Sequence, residues 1–334
     1  MDALAKSAVE PSTVRNYGVG MRRFAGFVLE ICASLNVPPW PHHTARDLRV
    51  LLCSRGVLEA FVLYGFDEGL TSGTIDLYVS GVKFLASDWE STPSIPLPGV
   101  WMMKQMLKGI TKIRGPQLDG ILPIGMLKLR KILTHLDIRS KANGFDAIFW
   151  KTLFICAYYA AFRVSEYLVG EDTAKWLTCE RVICREDGWI CFQLFKTKNN
   201  IVGPMQPVLY PVLLNELTCP VTAIKNYMRV RKSTAPNAPF FIDFQGKPLS
   251  SGRFNEKLKR VMDEVEPELE GRFASKSFRM GATSDAFALN IPTSDIGNLG
   301  RWAIGSTAFM HYVTALSRAE RAVTVRFALA EIGK

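Results

Sequence analysis

The stretch Arg181–Pro211, "RVICREDGWICFQLFKTKNNIVGPMQPVLYP", separates two long helical parts of the chain and decides its fold class. Its β-branched and aromatic residues come in short runs, with turn residues between them at Asp187-Gly188 and at Asn199-Asn200. This pattern predicts a small antiparallel sheet. Because most of the remaining chain shows helical spacing, we expect a mainly α protein with a small antiparallel β-sheet, of the α+β class.

The residues before this sheet are predicted to form two groups of helices. Apolar residues recur at helical spacing within 11–35, 45–66, 71–89 and 99–115. The last of these segments carries Arg114 and a stripe of three lysines, which are Lys104, Lys108 and Lys112. Such a stripe is either a solvated face or a face that contacts phosphate groups.

Glycine and proline cluster after this first group of helices, at Gly115, Pro116, Gly120 and Pro123. Such a cluster is typical of a linker, which we place at residues 115–122. We therefore expect a helical domain over 1–114 and a mixed domain over 123–334. In the second domain, the helical pattern covers 144–170 as one element and returns after the sheet, as far as a last helix near the C-terminus.

The charge of the chain is basic and unevenly spread. The 334 residues carry a net charge of +10, with a pI of about 9.3. Residues 1–120 hold 12 basic and 11 acidic side chains (12 − 11 = +1), whereas residues 121–334 hold 29 and 20 (29 − 20 = +9). This balance favours a polyanionic partner such as nucleic acid. A merely basic soluble protein is the alternative.

The cysteines and histidines give no sign of a metal site or of a disulfide framework. None of the 7 cysteines forms a Cys-x-x-Cys pair, and the 4 histidines do not fall at metal-ligand spacing. The N-terminal "MDALAKSAVEPS" lacks the apolar core of a signal peptide, and no apolar run reaches the length of a membrane span. We expect an intracellular protein that does not enter membranes, nuclear in a eukaryotic host and otherwise cytoplasmic.

Four sequence motifs in the second domain contain side chains suited to attack on a phosphodiester. They are "AAFRVSEYL" with Arg163 and Glu166 near the end of a buried helix, "FQLFKTKNN" with Lys196, "ASKSFRMGATSDA" with Lys276 and Arg279 at a helix start, and "LGRWAIGSTAFMHYV" with Trp302 and Tyr312 on the last helices. Two arginines can bind the non-bridging oxygens. A lysine can protonate the leaving oxygen, and a tyrosine can be the nucleophile.

Each of these side chains also has an ordinary structural explanation. Arg163 and Glu166 can form a buried ion pair, and Lys196 in a turn can be solvated. Arg279 can face solvent, and Tyr312 can be a packing aromatic. The set therefore carries more weight than any of its members.

In this order, the four sequence motifs resemble those of the tyrosine recombinases, the phage-integrase superfamily that includes Cre. Arg163 matches the first arginine of the family and Lys196 its β-hairpin lysine, while "KSFR" occupies the His-x-x-Arg box. "LGRW" matches the box with His or Trp, and its "GRW" form looks like recombinases of eukaryotic DIRS-type and crypton elements. The helices of 1–114 look like the family's SAM-like core-binding domain.

This chain departs from the family pattern at two points. The histidine of His-x-x-Arg is Lys276, a side chain that is normally charged at neutral pH. The spacing from Trp302 to Tyr312 is ten positions (312 − 302), slightly longer than the family pattern leads us to expect.

The resemblance implies a site-specific recombinase that clamps duplex DNA and works as a homotetramer on two sites. In the family's mechanism Tyr312 forms a 3′-phosphotyrosine, with Glu166 orienting Arg163 and with no metal or cofactor. The helix predicted over Ser317–Ile332 would dock on a neighbouring protomer, and docking in cis on its own domain is the alternative. Two alternatives stay open: a type IB topoisomerase that relaxes DNA, and a recombinase-derived DNA-binding protein that no longer cleaves it.

Overall fold

The structure is a computed structural model, and it describes residues 11–35, 55–87, 100–114, 120–139, 144–170, 173, 176–194, 208–209, 216–303, 306 and 308–313. The chain divides into two compact units, Met1–Asp119 and Gly120–Lys334. The roles of the two predicted domains stay a prediction. Within the described ranges, no helix is both long and apolar enough to cross a membrane.

The described part of the first unit is helical. It contains α1 (Pro11–Ser34), α2 (Arg55–Asp67), α3 (Ser72–Ser87) and α4 (Val100–Arg114). One face of each helix contributes to a shared core, as their apolar spacing requires. The buried core residues are Phe24, Phe27, Val28, Leu58, Phe61, Val62, Ile75, Val79, Val82, Met103 and Ile110.

Two glycines let α1 and α3 cross at backbone contact. A β-carbon added to Gly20 would lie 2.8 Å from the α-carbon of Tyr78, and one added to Gly81 would lie 2.8 Å from the α-carbon of Tyr17. Since a real β-carbon cannot approach so closely, each helix needs glycine at the crossing point. This packing explains why two poor helix formers stand inside strongly helical segments.

The basic residues of α4 have two different environments. Lys104, Lys108 and Lys112 are exposed. Arg114 instead donates to the carbonyl oxygens of Phe66 and Leu70 at the end of α2, and its guanidinium lies 4.4 Å from the Phe66 ring centroid. It therefore gives further donors to carbonyl groups at a helix C-terminus, whereas the three lysines of this helix are open to a polyanion.

The second unit contains most of the described helices. They are α5 (Met126–Arg139), α6 (Gly144–Tyr159), α7 (Val164–Tyr167), α8 (Pro220–Val230), α9 (Ser251–Val265), α10 (Lys276–Ala288), α11 (Thr293–Leu299) and α12 (Met310–Val313). The central helix is α6, which is buried along most of its length and packs against α5, α8 and α10. A helix that is apolar on all sides belongs in a core.

The predicted fold class is confirmed by the small antiparallel sheet of this unit. Its strands are β1 (Val182–Cys184), β2 (Ile190–Phe192) and β3 (Val208–Leu209), in the order β1-β2-β3. Cys184 pairs with Ile190 across the first turn, in which Gly188 has a φ of 83°. The second predicted turn, at Asn199-Asn200, lies outside the described residues, as does Lys196.

The prediction of one helix over 144–170 is wrong. Helix α6 ends at Tyr159, and Ala161 takes a left-handed conformation with φ 42°. The N–H of Phe162 donates to the Ala157 carbonyl and that of Ala161 to the Tyr158 carbonyl, the two bonds of a Schellman motif. This motif usually contains glycine, so the alanine at this position concealed the break in the sequence. Arg163 consequently precedes a separate short helix, α7.

Candidate active site

The site is built around the carboxylate of Glu166, which is buried on α7. Its Oε1 accepts a hydrogen bond from Nη1 of Arg163 at 2.8 Å, and its Oε2 accepts one from the Arg163 backbone N–H at 2.8 Å. The side chain of Glu166 is 3% exposed, whereas 20% of the Arg163 side chain is exposed. Glu166 thus holds Arg163 in place and leaves part of its guanidinium open to a ligand.

A second arginine, Arg301, shares the same carboxylate. Its Nη2 lies 2.5 Å from Oε2 of Glu166 and its Nε lies 3.5 Å from Oε1. Arg301 follows α11, where its φ of 55° is left-handed. The "LGRW" sequence showed that an arginine stands here, but the sequence analysis gave it no role. A buried ion pair between positions 166 and 301 leaves no local signal in sequence.

Arg279 is buried on α10 beneath Trp302, and it is only 2% exposed. Its guanidinium donates through Nη1 to the Ala161 carbonyl at 2.7 Å and through Nη2 to the Gly300 carbonyl, and it lies 4.0 Å from the Trp302 ring centroid. The alternative explanation, that Arg279 merely faces solvent, is therefore wrong. In this structure, both Nη groups donate to the protein.

Trp302 does not lie on a helix, contrary to the sequence-based expectation. It lies three positions after the last residue of α11 (302 − 299), and its backbone N–H donates to the Gly297 carbonyl at 3.0 Å in a second Schellman motif. Its ring lies across Gly300, where an added β-carbon would come within 1.5 Å of the indole. The chain therefore needs glycine at 300 so that Trp302 can fold back over Arg279.

Tyr312 lies on α12 and packs beside Trp302, with ring centroids 5.8 Å apart. Trp302 forms a small apolar cluster with Ile296 and Phe309, and Tyr312 contacts this cluster while remaining partly exposed. Its backbone carbonyl accepts a hydrogen bond from Oγ of Ser284 on α10 at 3.0 Å. The structure therefore brings Tyr312 to the helix that carries Arg279.

The remaining predicted site residues are placed less completely. Lys276 is the first residue of α10, one turn before Arg279, and is half-buried. Lys196 and the predicted helix over Ser317–Ile332 lie outside the described residues. The site of the described residues thus contains Arg163, Glu166, Arg279, Trp302 and Tyr312.

The charges of the site shift the pKa of two of its buried groups. Burial alone would raise the pKa of Glu166, but the charge and hydrogen bonds of Arg301, followed by those of Arg163, outweigh it and lower the pKa. Burial lowers the pKa of the Arg279 guanidinium, and the positive charge of Arg163 lowers it further. The site holds three guanidinium groups and one carboxylate, to which Arg163 and Arg301 bind directly, so it keeps a net positive charge that suits a phosphate ligand.

The lowered pKa of Glu166 predicts a pH-dependent contribution to stability. An ionised carboxylate with a lowered folded-state pKa stabilises the protein above its unfolded pKa of about 4.3, and this stabilisation is lost as the pH falls through the folded value. Glu166→Gln is expected to lower the free energy of unfolding by about 3 kcal/mol at pH 7. In urea unfolding, this difference should narrow below about pH 4. An equal difference at pH 7 and pH 3 would contradict the prediction.

Gly300→Ala is expected to displace the Trp302 ring. The added methyl group would overlap the indole, so the free energy of unfolding should fall by about 1–3 kcal/mol. Gly297→Ala is the matched control, because its added methyl meets no described atom within 4 Å and alanine favours the helix. Urea unfolding of both variants measures the difference. Equal stability of the two would show that Trp302 does not lie across Gly300.

A further buried contact fixes α10 in the unit. Oδ2 of Asp285 accepts hydrogen bonds from the Tyr158 hydroxyl at 2.5 Å and from the Met126 backbone N–H at 2.7 Å. Burial and the neighbouring Asp285 raise the pKa of Tyr158 well above its ordinary value. Asp285 thereby ties α10 to α6 and to the first turn of α5. The aspartate in an apolar stretch of α10 was the only sequence signal for this contact.

Comparison with known proteins gives matches in structure only. No protein-family model matches the sequence, and no curated protein matches it significantly. XerH site-specific recombinase, in a post-cleavage complex with palindromic difH, is similar at a TM-score of 0.59 and 13% identity, over 93% of this chain and 79% of that one. Tn1549 transposon integrase in complex with transposon right end DNA gives 0.55 and 13%, over 98% and 95%. A lambda integrase tetramer bound to a Holliday junction gives 0.56 and 12%, over 93% and 74%.

These likenesses show that the chain has the same fold as this recombinase and these two integrases. At 12–13% identity they establish the fold and leave the activity to be argued from the site.

Proposed function

We propose that this protein is a site-specific DNA recombinase that cleaves and rejoins strands through a 3′-phosphotyrosine on Tyr312. The observation that carries this proposal is the meeting of four distant segments at one place. Arg163 of the turn before α7, Arg279 of α10, Trp302 after α11 and Tyr312 of α12 are linked by contacts within one cluster. Packing alone does not require three arginines and one carboxylate in one cluster, since removing such charges from a core is often stabilising.

In the proposed reaction, the Tyr312 hydroxyl oxygen attacks the scissile phosphorus and releases its proton to solvent, and the 5′-oxygen leaves. Arg163 and Arg279 bind the non-bridging oxygens and stabilise the charge of the transition state. Lys196 donates a proton to the leaving oxygen. The 5′-hydroxyl of a partner strand then returns a proton to Lys196 and attacks the phosphotyrosine. This reforms a phosphodiester and releases Tyr312, which takes up a proton from solvent, so the sequence of steps uses no cofactor.

Double-stranded DNA is the proposed partner, bound by a homotetramer on two sites. The net charge of +10 and the exposed Lys104, Lys108 and Lys112 supply cations for backbone phosphates. Three structures of the same fold are DNA complexes, and one of them is a tetramer on a Holliday junction. A location in the compartment that holds the DNA, the nucleus in a eukaryotic host, is part of this proposal.

The test starts with a DNA site, which selection from random-sequence duplexes by binding to the full chain provides. A series of duplexes carrying one nick at successive positions across the selected site is then incubated with the protein. Where the nick releases a short 5′-hydroxyl strand, religation fails and the covalent intermediate accumulates. We expect a denaturation-resistant protein–DNA adduct with a narrow set of nick positions. Strong binding without adduct at any position would refute the proposal.

A DNA-binding protein without cleavage activity is the second candidate. The observations that favour it are Lys276 in the histidine position and the burial of Arg279 beneath Trp302. For Arg279 to contact a phosphate, the Trp302 ring has to move away from its guanidinium. The adduct assay separates the two candidates. A third outcome, relaxation of a plasmid that lacks the selected site, would indicate a topoisomerase instead.

Lys276 is expected to contact the scissile phosphate rather than to act as the main base. It lies one turn before Arg279 at the start of α10, where backbone N–H groups also favour an anion. Lys276→His is therefore expected to keep or raise the rate of adduct formation. Lys276→Ala should lower it about tenfold, through loss of one charge-assisted hydrogen bond. A Lys276→Ala protein that cleaves at the parent rate would show that this lysine has no part in the reaction.

A further inference from the structure

Arg301 occupies a backbone position at which glycine is usual. It is the left-handed residue that ends α11, where its N–H donates to the Asn298 carbonyl and the next N–H, of Trp302, donates to the Gly297 carbonyl, both at 3.0 Å. At the end of α2 the same motif holds Gly69, with φ 80°. A bulky residue in this conformation is strained. The contacts of the Arg301 side chain therefore have to explain why an arginine stands at this position.

That side chain uses all five of its N–H groups within the protein. Nη1 donates to the carbonyls of Ala160 at 2.9 Å and Leu299 at 3.0 Å, and Nη2 donates to Ala161 at 3.0 Å and to Glu166 at 2.5 Å. Nε faces the second Glu166 oxygen at 3.5 Å. With all five N–H donors of its guanidinium group occupied and 3% of its surface exposed, Arg301 has no donor left to bind a phosphate.

Two acceptors of Arg301, the Glu166 carboxylate and the Ala161 carbonyl, also hold the other two arginines of the site. Glu166 holds Arg163, and the carbonyl of Arg301 itself accepts from Nη2 of Arg163 at 3.4 Å. The Ala161 carbonyl also accepts from Arg279, at 2.7 Å. Trp302 follows Arg301 directly and covers Arg279. One side chain thus joins the turn before α7 to the segment after α11.

We propose that Arg301 is a positioning residue, which fixes Arg163 through Glu166 and fixes Trp302 through its own backbone. This proposal rests on the proposed function and adds a residue to its machinery. Arg301 acts through the site residues and not on the substrate, so it contributes to the rate of cleavage at saturating DNA rather than to DNA affinity. Lysine cannot replace it, because one amine cannot bridge a carboxylate and three carbonyls.

Two variants of the full chain test this role. Arg301→Gly removes the side chain and suits the left-handed backbone, so it is the variant expected to fold; Arg301→Lys keeps the charge and serves if the glycine variant does not fold. In single-turnover cleavage at saturating nicked duplex, both should be about 10²-fold slower than the parent. The Kd for the selected duplex should stay within about threefold of the parent value, because Arg301 touches no DNA.

Arg185→Gln is the matched control for the loss of one paired arginine. Arg185 is exposed, pairs with Asp187 at 2.9 Å and lies in the β1–β2 turn. It should cleave at the parent rate. A folded Arg301→Gly or Arg301→Lys variant that also cleaves at the parent rate would overturn the positioning role.

A crystal structure of the DNA-free Arg301→Gly or Arg301→Lys protein gives a readout that needs no activity. We expect Glu166 and the Arg163 guanidinium to move from their places, with loss of the Arg163–Glu166 bond. An unmoved Arg163 would overturn the inference whether or not the parent cleaves DNA. Absence of any adduct from the parent, together with a displaced Arg163 in the variant, would refute the proposed function and leave the positioning role standing.

Discussion

Tyr312→Phe is expected to bind the selected duplex with the parent's affinity and to form no covalent adduct. The substitution removes only the hydroxyl oxygen, the atom that becomes bonded to phosphorus. The ring stays in place because its contact with Trp302 and the Ser284 bond to its backbone carbonyl do not involve the hydroxyl. The measurement compares binding by gel shift and adduct formation by denaturing electrophoresis on the same nicked duplex.

Tyr159→Phe is the matched control for Tyr312→Phe. Tyr159 lies at the end of α6, close in sequence to Arg163, and burial raises the pKa of its hydroxyl. It packs against Tyr158, with ring centroids 5.3 Å apart, and takes no part in the Trp302 cluster. The control should form the adduct normally. An adduct that persists in Tyr312→Phe and disappears in Tyr159→Phe would show that Tyr312 is not the nucleophile.

Arg163→Ala is expected to slow single-turnover cleavage by about 10²–10³-fold, the usual cost of removing one preorganised donor to a developing charge. Arg163 is the arginine of the site with its side chain partly exposed, at 20%, and is held by Glu166 before any DNA binds. Loss of its charge also leaves Glu166 with one partner fewer. Cleavage rates at saturating DNA, compared with Arg185→Gln, measure the effect.

Arg163→Lys separates the geometry of this group from its charge. A lysine keeps one positive charge but cannot bind two phosphate oxygens and Glu166 in a fixed plane. We expect it to recover at most a small part of the lost rate. Full activity of Arg163→Lys would show that the site needs only positive charge at this position, and full activity of Arg163→Ala would remove Arg163 from the reaction.

The sequence was sufficient to predict the helices and strands whose determinants are local. Apolar spacing located the helices, and the Asp187-Gly188 turn with its flanking β-branched residues located the first hairpin. It failed where the chain takes a left-handed turn without glycine. Ala161 and Arg301 both end helices in this way, and neither residue type marks a helix end. The break after α6 and the turn that places Trp302 were missed for this reason.

The candidate site was predictable as a set of residue types, but its internal contacts were not. Arg163 and Glu166 are three positions apart, so their ion pair could be expected from helical spacing. The bond of Glu166 to Arg301 and the stacking of Trp302 on Arg279 join segments more than 20 positions apart. Such contacts depend on tertiary packing, and a single sequence carries no record of them.

The most direct test of the central claim is to locate the covalent bond itself. The parent protein is trapped on a nicked duplex of the selected site, digested with protease and nuclease, and analysed by tandem mass spectrometry. We expect one modified peptide, with a nucleotide joined through its 3′-phosphate to the hydroxyl oxygen of Tyr312. A bond to any other residue, a link through a 5′-phosphate, or the absence of a modified peptide from a protein that binds the site tightly would contradict the account.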